Sequence, residues 1–228
     1  MMSTNKRKSI CILLVGDHLV VRAGLRMLLE SQPRFAIVGE ATGRTDALPI
    51  ATREKPDIIL LDFDFGGSGS LDLMAELLSV AEDARLVLLT GIRDSELHQR
   101  AVQIGAMGVV LKEKDPDELF KAIEKVYAGE VWLDRSLTAR VLSKMARSNG
   151  TRKIETETNK IDLLTERERQ VVALVNEGLK NKGIADRLYI SETTVRHHLT
   201  SIFSKLEISN RFELILFLHQ QELAKAAR

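Results

Sequence analysis

The sequence predicts a doubly wound α/β domain on a five-stranded parallel sheet, followed by a small all-α domain of four helices that contains a helix-turn-helix. Three observations carry this. Short apolar runs alternate with amphipathic segments five times in the first 130 residues, the pattern of repeated β-then-α units. Beyond a polar stretch near residue 150 no strand pattern returns, and four helical periods follow. A length of 228 residues suits two domains of about 100–150 residues plus a connection.

The expected strands are Ile10 to Val15, Phe35 to Val38, Ile58 to Leu61, Leu86 to Leu89 and Val109 to Leu111. Their apolar runs suit parallel strands covered on both faces. Between and after them lie helical stretches at Leu19 to Leu29, Thr45 to Arg53 (interrupted by Pro49), Leu71 to Val80, Ser95 to Ile104 and Pro116 to Tyr127. Pro116 directly after Asp115 is a good helix start. Residues 136–147 have a helical stripe of Leu137, Val141, Leu142 and Met145, and Arg147 to Lys160 reads as a flexible linker. The tail helices fall at 165–177, 181–188, 192–206 and 211–223.

Composition removes several classes. Apolar residues at 44% and charged residues at 29% are the balance of a soluble globular chain. One cysteine, Cys11, excludes an internal disulfide framework or a four-thiolate metal site. Aromatic residues at 4% leave little for single-strand stacking platforms. The basic start Lys6-Arg7-Lys8 is followed by an apolar run too short for a signal peptide, and no run approaches a membrane span. The expectation is a cytoplasmic protein with no membrane partner. The net charge of +1 divides unevenly: −4 over residues 1–133, +4 over 134–160 and +1 over 161–228. Charge alone therefore does not mark the tail as nucleic-acid binding.

In a parallel α/β domain, chemistry belongs at the carboxyl ends of the strands. Asp17 follows the first expected strand, Asp62 the third and Lys112 the fifth, while Thr90 closes the fourth. Taken singly, a strand-end Asp is an ordinary turn former and a strand-end Lys an ordinary solvated cation. Four such side chains at four strand ends converge on one crevice. Paired carboxylates beside an ammonium suit a hard Mg²⁺ ion and a phosphoryl group, with the Lys and the Thr hydroxyl each meeting a phosphate oxygen.

The order Asp17, Asp62, Thr90, Lys112 resembles the receiver domain of two-component response regulators. The segments ILLVGDHLVVRAGL, PDIILLD, LVLLTG and GAMGVVLKEKDPDEL are similar to its NarL/FixJ branch. The resemblance implies a flavodoxin-like strand order of 2-1-3-4-5 and phosphorylation of Asp62 by a sensor histidine kinase or a small phosphodonor. Asp62 would be the nucleophile. Mg²⁺ would be held by the carboxylates of Asp17 and Asp62 and the backbone carbonyl of Asp64, and Thr90 and Lys112 would sense the phosphoryl group. The sequence departs from the family at Gly16, where a second acid is usual, which should weaken the metal site. It departs also at Phe65-Gly66, at the glycine-rich run to Ser70 and at Val109. A phosphorylation-independent regulator with a degenerate receiver is one alternative. Another is a phosphatase of Asp-x-Asp type at Asp62-Phe63-Asp64, with Asp64 as general acid.

In the tail, Ile184, Ala185 and Leu188 stripe a short helix, Tyr189-Ile190 turns the chain, and Ser191 caps a second helix. There Val195, Leu199, Ile202 and Leu206 form the inward face, and Thr193, Arg196, His197, Thr200 and Ser204 the outward one. Such a helix can enter a major groove, or simply be an amphipathic helix with a solvated face. The run from Leu164 to Leu214 resembles the LuxR-type DNA-binding domain, matching at Leu164-Thr165, Arg167-Glu168, Gly178, Asn181-Lys182, Ser191-Glu192, Thr194-Val195 and Lys205-Leu206. By that resemblance Arg196, His197 and Thr200 face base edges, while Thr194, Lys182, Lys205 and Arg211 meet phosphates. Gly183, where Glu is common, should cost roughly 1 kcal/mol of helix stability. The apolar run Leu214 to Leu218 exceeds what one domain needs and suggests a dimer contact.

Together these readings give a receiver at 11–128, a linker helix and flexible linker at 129–157, and a DNA-binding domain at 158–228. The expected protein is a transcriptional regulator, not an enzyme, that binds double-stranded DNA as a homodimer.

Overall fold

The computed structural model describes residues 9–64, 69–134, 136–140 and 160–226. The strands β1 (Ile10–Val15), β2 (Phe35–Ala41), β3 (Ile58–Asp62), β4 (Arg85–Thr90) and β5 (Ala106–Leu111) form one parallel sheet in the order β2-β1-β3-β4-β5. They alternate with α1 (Leu19–Glu30), α2 (Arg44–Glu54), α3 (Gly69–Val80), α4 (Ser95–Ile104) and α5 (Pro116–Ala128). Among the described residues four longer helices follow: α6 (Glu166–Asn176), α7 (Asn181–Leu188), α8 (Glu192–Leu206) and α9 (Arg211–Ala226). Two compact units result, Met1–Asp94 with Ala106–Tyr127, and Ser95–Gly105 with Ala128–Arg228.

From β1 the chain steps outward to β2 and then returns past β1 to β3. Right-handed crossovers therefore place α1 on one face and α2 and α3 on the other, where these two touch. The reversal opens a crevice at the carboxyl ends of β1 and β3. Every residue of β3 and β4 is buried, which is why Ile58 to Leu61 and Leu86 to Leu89 read as unbroken apolar runs. Arg85, buried at the start of β4, donates from Nη1 to the Val126 carbonyl at 2.8 Å near the end of α5. Burial pulls its guanidinium down to about 10, opposed by the charges around it.

Three elements differ from the periodicity. β2 runs on through Gly39 and Glu40 to Ala41 as an edge strand of mostly half-buried residues. A Cβ on Gly39 would lie 2.5 Å from Ile50 Cγ2, so glycine here lets α2 come close rather than ending the strand. β5 begins at Ala106, earlier than its β-branched residues indicate. α2 continues through Pro49, because the fully buried Ala47 and Ala51 hold both halves on the sheet. Of the expected linker helix, residues 136–140 are helical and the remainder lies outside the described residues.

In the tail, Val171, Val175, Ile184, Val195, Ile202, Leu206, Phe212 and Leu214 make a dry core. Gly178, at φ 80, ends α6 with Leu179 N–H returning to the Leu174 carbonyl at 3.1 Å. Tyr189 takes the same left-handed role after α7 at φ 55. Leu214, Ile215, Leu216 and Phe217 are all buried within the chain. Of the apolar run from which a dimer contact was expected, only Leu218 remains half-buried.

Candidate functional site

The carboxyl ends of β3, β4 and β5 bring Asp62, Asp64, Thr90 and Lys112 together. Parallel pairing of β3 with β4 and of β4 with β5 sets Asp62 beside Leu89 and Thr90 beside Leu111. Lys112 follows immediately, its N–H bonded to the Thr90 carbonyl at 2.8 Å. The Lys112 ammonium lies 2.7 Å from Asp62 Oδ1 and 2.9 Å from Asp64 Oδ2. Burial would lower the Lys112 ammonium, but hydrogen bonds and charge from Asp62 and Asp64 outweigh it and raise its pKa above the ordinary lysine value.

Asp62 is 3% exposed. Its Oδ1 also accepts the Asp64 N–H at 3.2 Å, while Oδ2 is buried and accepts no hydrogen bond. Leaving such an oxygen unsatisfied costs about 1–3 kcal/mol, more when it is charged. A small cavity of about 10 Å³, lined in part by Gly16, His18, Arg22 and Leu60, adjoins Asp62. Gly16 closes in on the acid: a Cβ there would lie 2.8 Å from Asp62 Cβ. The Gly16 carbonyl accepts a hydrogen bond from Arg22 Nη1 at 2.5 Å, and Arg22 Nε pairs with Glu40 at 3.1 Å.

Asp17 is half exposed and pairs with His18 Nδ1 at 2.8 Å. Among the described residues no group of three or more His, Cys, Asp and Glu is placed to hold a metal ion. The expected Mg²⁺ set contains fewer, two carboxylates and a carbonyl. The lone-pair-rich Asp62 Oδ2, without a donor, fits a hard cation as one ligand.

Asp64, by contrast, is fully engaged. Its Oδ1 accepts from the Thr90 hydroxyl at 2.7 Å, its two oxygens accept the Gly91 N–H at 3.0 and 2.9 Å, and Oδ2 meets Lys112. Burial would raise the Asp64 carboxyl, but donors from Lys112, Thr90 and Gly91 hold it below the usual carboxylate range.

The second candidate surface is on α8. Ser191 accepts the Thr194 N–H at 3.0 Å, starting the helix where the sequence indicates. Val195, Leu199, Ile202 and Leu206 are buried, and Thr193, Arg196, His197, Thr200 and Ser204 are exposed along one face. Arg196 reaches Thr193 Oγ1 at 3.4 Å, and the Thr200 hydroxyl donates back to the Arg196 carbonyl at 3.1 Å. Lys182 is exposed on α7. The Thr194 hydroxyl is shared with Ser191 in the cap at 2.8 Å.

Two side chains expected at phosphate turn inward instead. Lys205 Nζ sits 2.6 and 2.9 Å from the two oxygens of Glu168, itself 3% exposed. Arg211 donates to the Leu179 carbonyl and to Asn181 Oδ1. Glu168 also accepts from Ser201 Oγ at 2.7 Å and from the Thr165 N–H at 2.7 Å, closing a capping box on α6. Burial would raise the Glu168 carboxyl, but the donors from Lys205, Ser201 and Thr165 bring it down to about 2.

Both parts of the chain are similar to known protein families. The response regulator receiver domain family matches residues 12–124, and the family of bacterial regulatory proteins, luxR family, matches residues 162–218. The nitrate/nitrite response regulator protein NarL of Escherichia coli strain K12 is 34% identical over 93% of this chain and 96% of its own. This chain is a two-component response regulator with a LuxR-type DNA-binding domain. The transcriptional regulatory protein LiaR of Bacillus subtilis strain 168 is 31% identical over 93% of this chain and 98% of its own. A solved LuxR-family response regulator from Aurantimonas sp. SI85-9A1 is 30% identical and superposes with a TM-score of 0.54, covering 61% of this chain and all of its own. This response regulator is therefore a transcription regulator. No helix among its described residues is long and apolar enough to cross a membrane.

Sequence reasoning missed three members of the regulator's sites. Gly91 contributes through its backbone N–H, which no side-chain pattern reveals. Arg22 is a buried cation on an otherwise ordinary amphipathic helix. Glu168 could have been found, since Thr165 and Glu168 stand at the spacing of a capping box.

Proposed function

We propose that this response regulator takes a phosphoryl group on Asp62 from a sensor histidine kinase or small phosphodonor and so adjusts its binding to duplex DNA. The observation that supports this best is Asp62 itself. It is buried at the crevice where the strand order reverses, paired with Lys112 at 2.7 Å, with one oxygen accepting no hydrogen bond. The Asp62 carboxylate is the nucleophile, and Lys112 and the Thr90 hydroxyl offset the charge that arrives. Mg²⁺, held by Asp17, Asp62 and the Asp64 carbonyl, would supply charge neutralisation for the incoming phosphoryl oxygens. The half-exposed Asp17 and the absence of a side chain at Gly16 support a weak metal site.

The DNA-binding tail enters the major groove with α8, where Arg196, His197 and Thr200 meet base edges, flanked by Thr193 and Ser204. Lys182 and Thr194 lie at the phosphates, while Lys205 and Arg211 act by fixing the helices that carry the readers. Two copies reading two half-sites supply the affinity that a nearly neutral tail lacks. The protein works in the cytoplasm and is not an enzyme. As a phosphatase it would need Asp64 to donate a proton, yet that carboxyl is held below its usual range by three donors.

The degenerate-receiver reading draws support from the same donors, which Asp64 already occupies. DNA affinity separates the two. Phosphodonor and Mg²⁺ should change duplex affinity of the full chain about tenfold or more in the native protein and leave Asp62→Asn unchanged. Equal affinity with and without the donor in the native protein would favour the phosphorylation-independent reading.

A further inference from the structure

The donors that would read a phosphoryl group are already gathered around a carboxylate. The Thr90 hydroxyl, the Gly91 N–H and the Lys112 ammonium all reach Asp64, at 2.7, 2.9 and 2.9 Å respectively for the closest contacts. Thr90 is fully buried, so its hydroxyl cannot exchange this partner for bulk water. Asp62, two residues earlier, keeps only Lys112 and the Asp64 N–H on one oxygen and nothing on the other. The strand-end geometry thus delivers Thr90 and Gly91 to Asp64, and shares Lys112 between Asp64 and Asp62.

We propose that Asp64 is a tethered internal anion that occupies the Thr90–Gly91–Lys112 donor set and competes with any external phosphate or phosphoryl group for it. The competition follows from charge and geometry. An ionised carboxylate offers two acceptor oxygens to the same three donors that a tetrahedral oxyanion would use. Being covalently linked, it binds them at high effective concentration. An incoming phosphoryl group must displace Asp64 from all three donors and then share the site with a carboxylate that has lost its counter-ion. Asp64 therefore sets a threshold that a residue without charge at this position would not.

The competition can be tested without assuming that Asp62 is phosphorylated. The full chain, ¹⁵N-labelled, is titrated with inorganic phosphate while the Gly91 amide resonance is followed. The native protein should show no saturable shift in the range where Asp64→Asn and Asp64→Ala do, with midpoints separated by about tenfold or more, the scale of losing one charge-assisted partner. The Asn variant keeps the shape and one carbonyl acceptor, so it guards against a fold lost in the Ala variant. Identical midpoints in the native and Asn proteins would overturn the proposal. A second arm rests on the phosphorylation reading: at equal phosphodonor, intact mass should show Asp64→Asn more fully modified than the native chain. If no variant is modified while the phosphate titration still separates them, the phosphorylation reading fails and the internal-anion inference stands. If modification occurs equally in both and the titrations coincide, the reverse holds.

Discussion

Glu168→Gln gives the sharpest test of how the DNA-binding tail is held together. Glu168 is nearly fully buried and receives donors from Lys205, Ser201 and Thr165, tying the start of α6 to the far end of α8. Its carboxyl lies at about 2 against an ordinary value of 4.5. At about 1.4 kcal/mol for each pH unit between the two, the ionised form contributes at most on the order of 3 kcal/mol to folding. The Lys205 side chain is 32% exposed, so water screens part of the attraction and brings the contribution nearer to about 2 kcal/mol. The sign follows from the lowered folded value. The contribution is complete above the unfolded value near 4.5 and disappears as pH falls through about 2. The neutral glutamine should therefore destabilise the tail by about 2 kcal/mol at pH 7, leaving Lys205 facing an amide. The gap to the native protein should narrow below about pH 4. Urea titrations of the full chain, followed at the Val195 and Leu199 resonances across this pH range, would measure it. A difference under about 0.5 kcal/mol that ignores pH would refute the reasoning. Lys205→Met should lose stability in the same way, with little change in the salt dependence of DNA binding. A salt slope reduced by about one with stability intact would return Lys205 to the phosphates.

Two other substitutions probe the base readers and the phosphoryl crevice. Arg196→Ala should remove about 1–3 kcal/mol of discrimination at one base pair per half-site, read from affinities on duplexes substituted at single positions, while leaving scrambled duplex affinity nearly unchanged. Gly16→Asp, which adds a charge that by itself favours Mg²⁺, should nonetheless perturb the Asp62 environment, because its Cβ would approach Asp62 Cβ to 2.8 Å. A Mg²⁺ titration followed at the Asp62 amide would show a displaced starting resonance before any metal is added, and an unmoved resonance would contradict the close approach.

The fold was legible because its signals are local and periodic. Parallel strands covered on both faces are apolar along their middles, as Ile58 to Leu61 of β3 and Leu86 to Leu89 of β4 are. The inward face of α8 follows helical spacing residue by residue. Asp62, Thr90 and Lys112 were legible as neighbours, since strand ends are where such a sheet presents chemistry, but their bonding and the part of the Gly91 N–H were not. Nothing in the order Asp62-Phe63-Asp64 says which carboxylate collects the donors, because that depends on where Gly91 and Thr90 fall in the register of β4. Likewise Lys205 and Arg211 look like solvated cations in sequence. Their inward turn becomes visible only when α6 brings Glu168 beneath α8, and when the Leu179 carbonyl meets Arg211. Leu214 to Phe217 of α9 are buried by packing within the chain, which the composition of one helix could not show.

Intact mass of the full chain after incubation with a small phosphodonor and Mg²⁺ tests the central claim most directly. A single added phosphoryl group is expected, stable in acid and labile in base as an acyl phosphate should be, and absent from Asp62→Asn. An unmodified native chain, or an adduct that persists in Asp62→Asn, would contradict it.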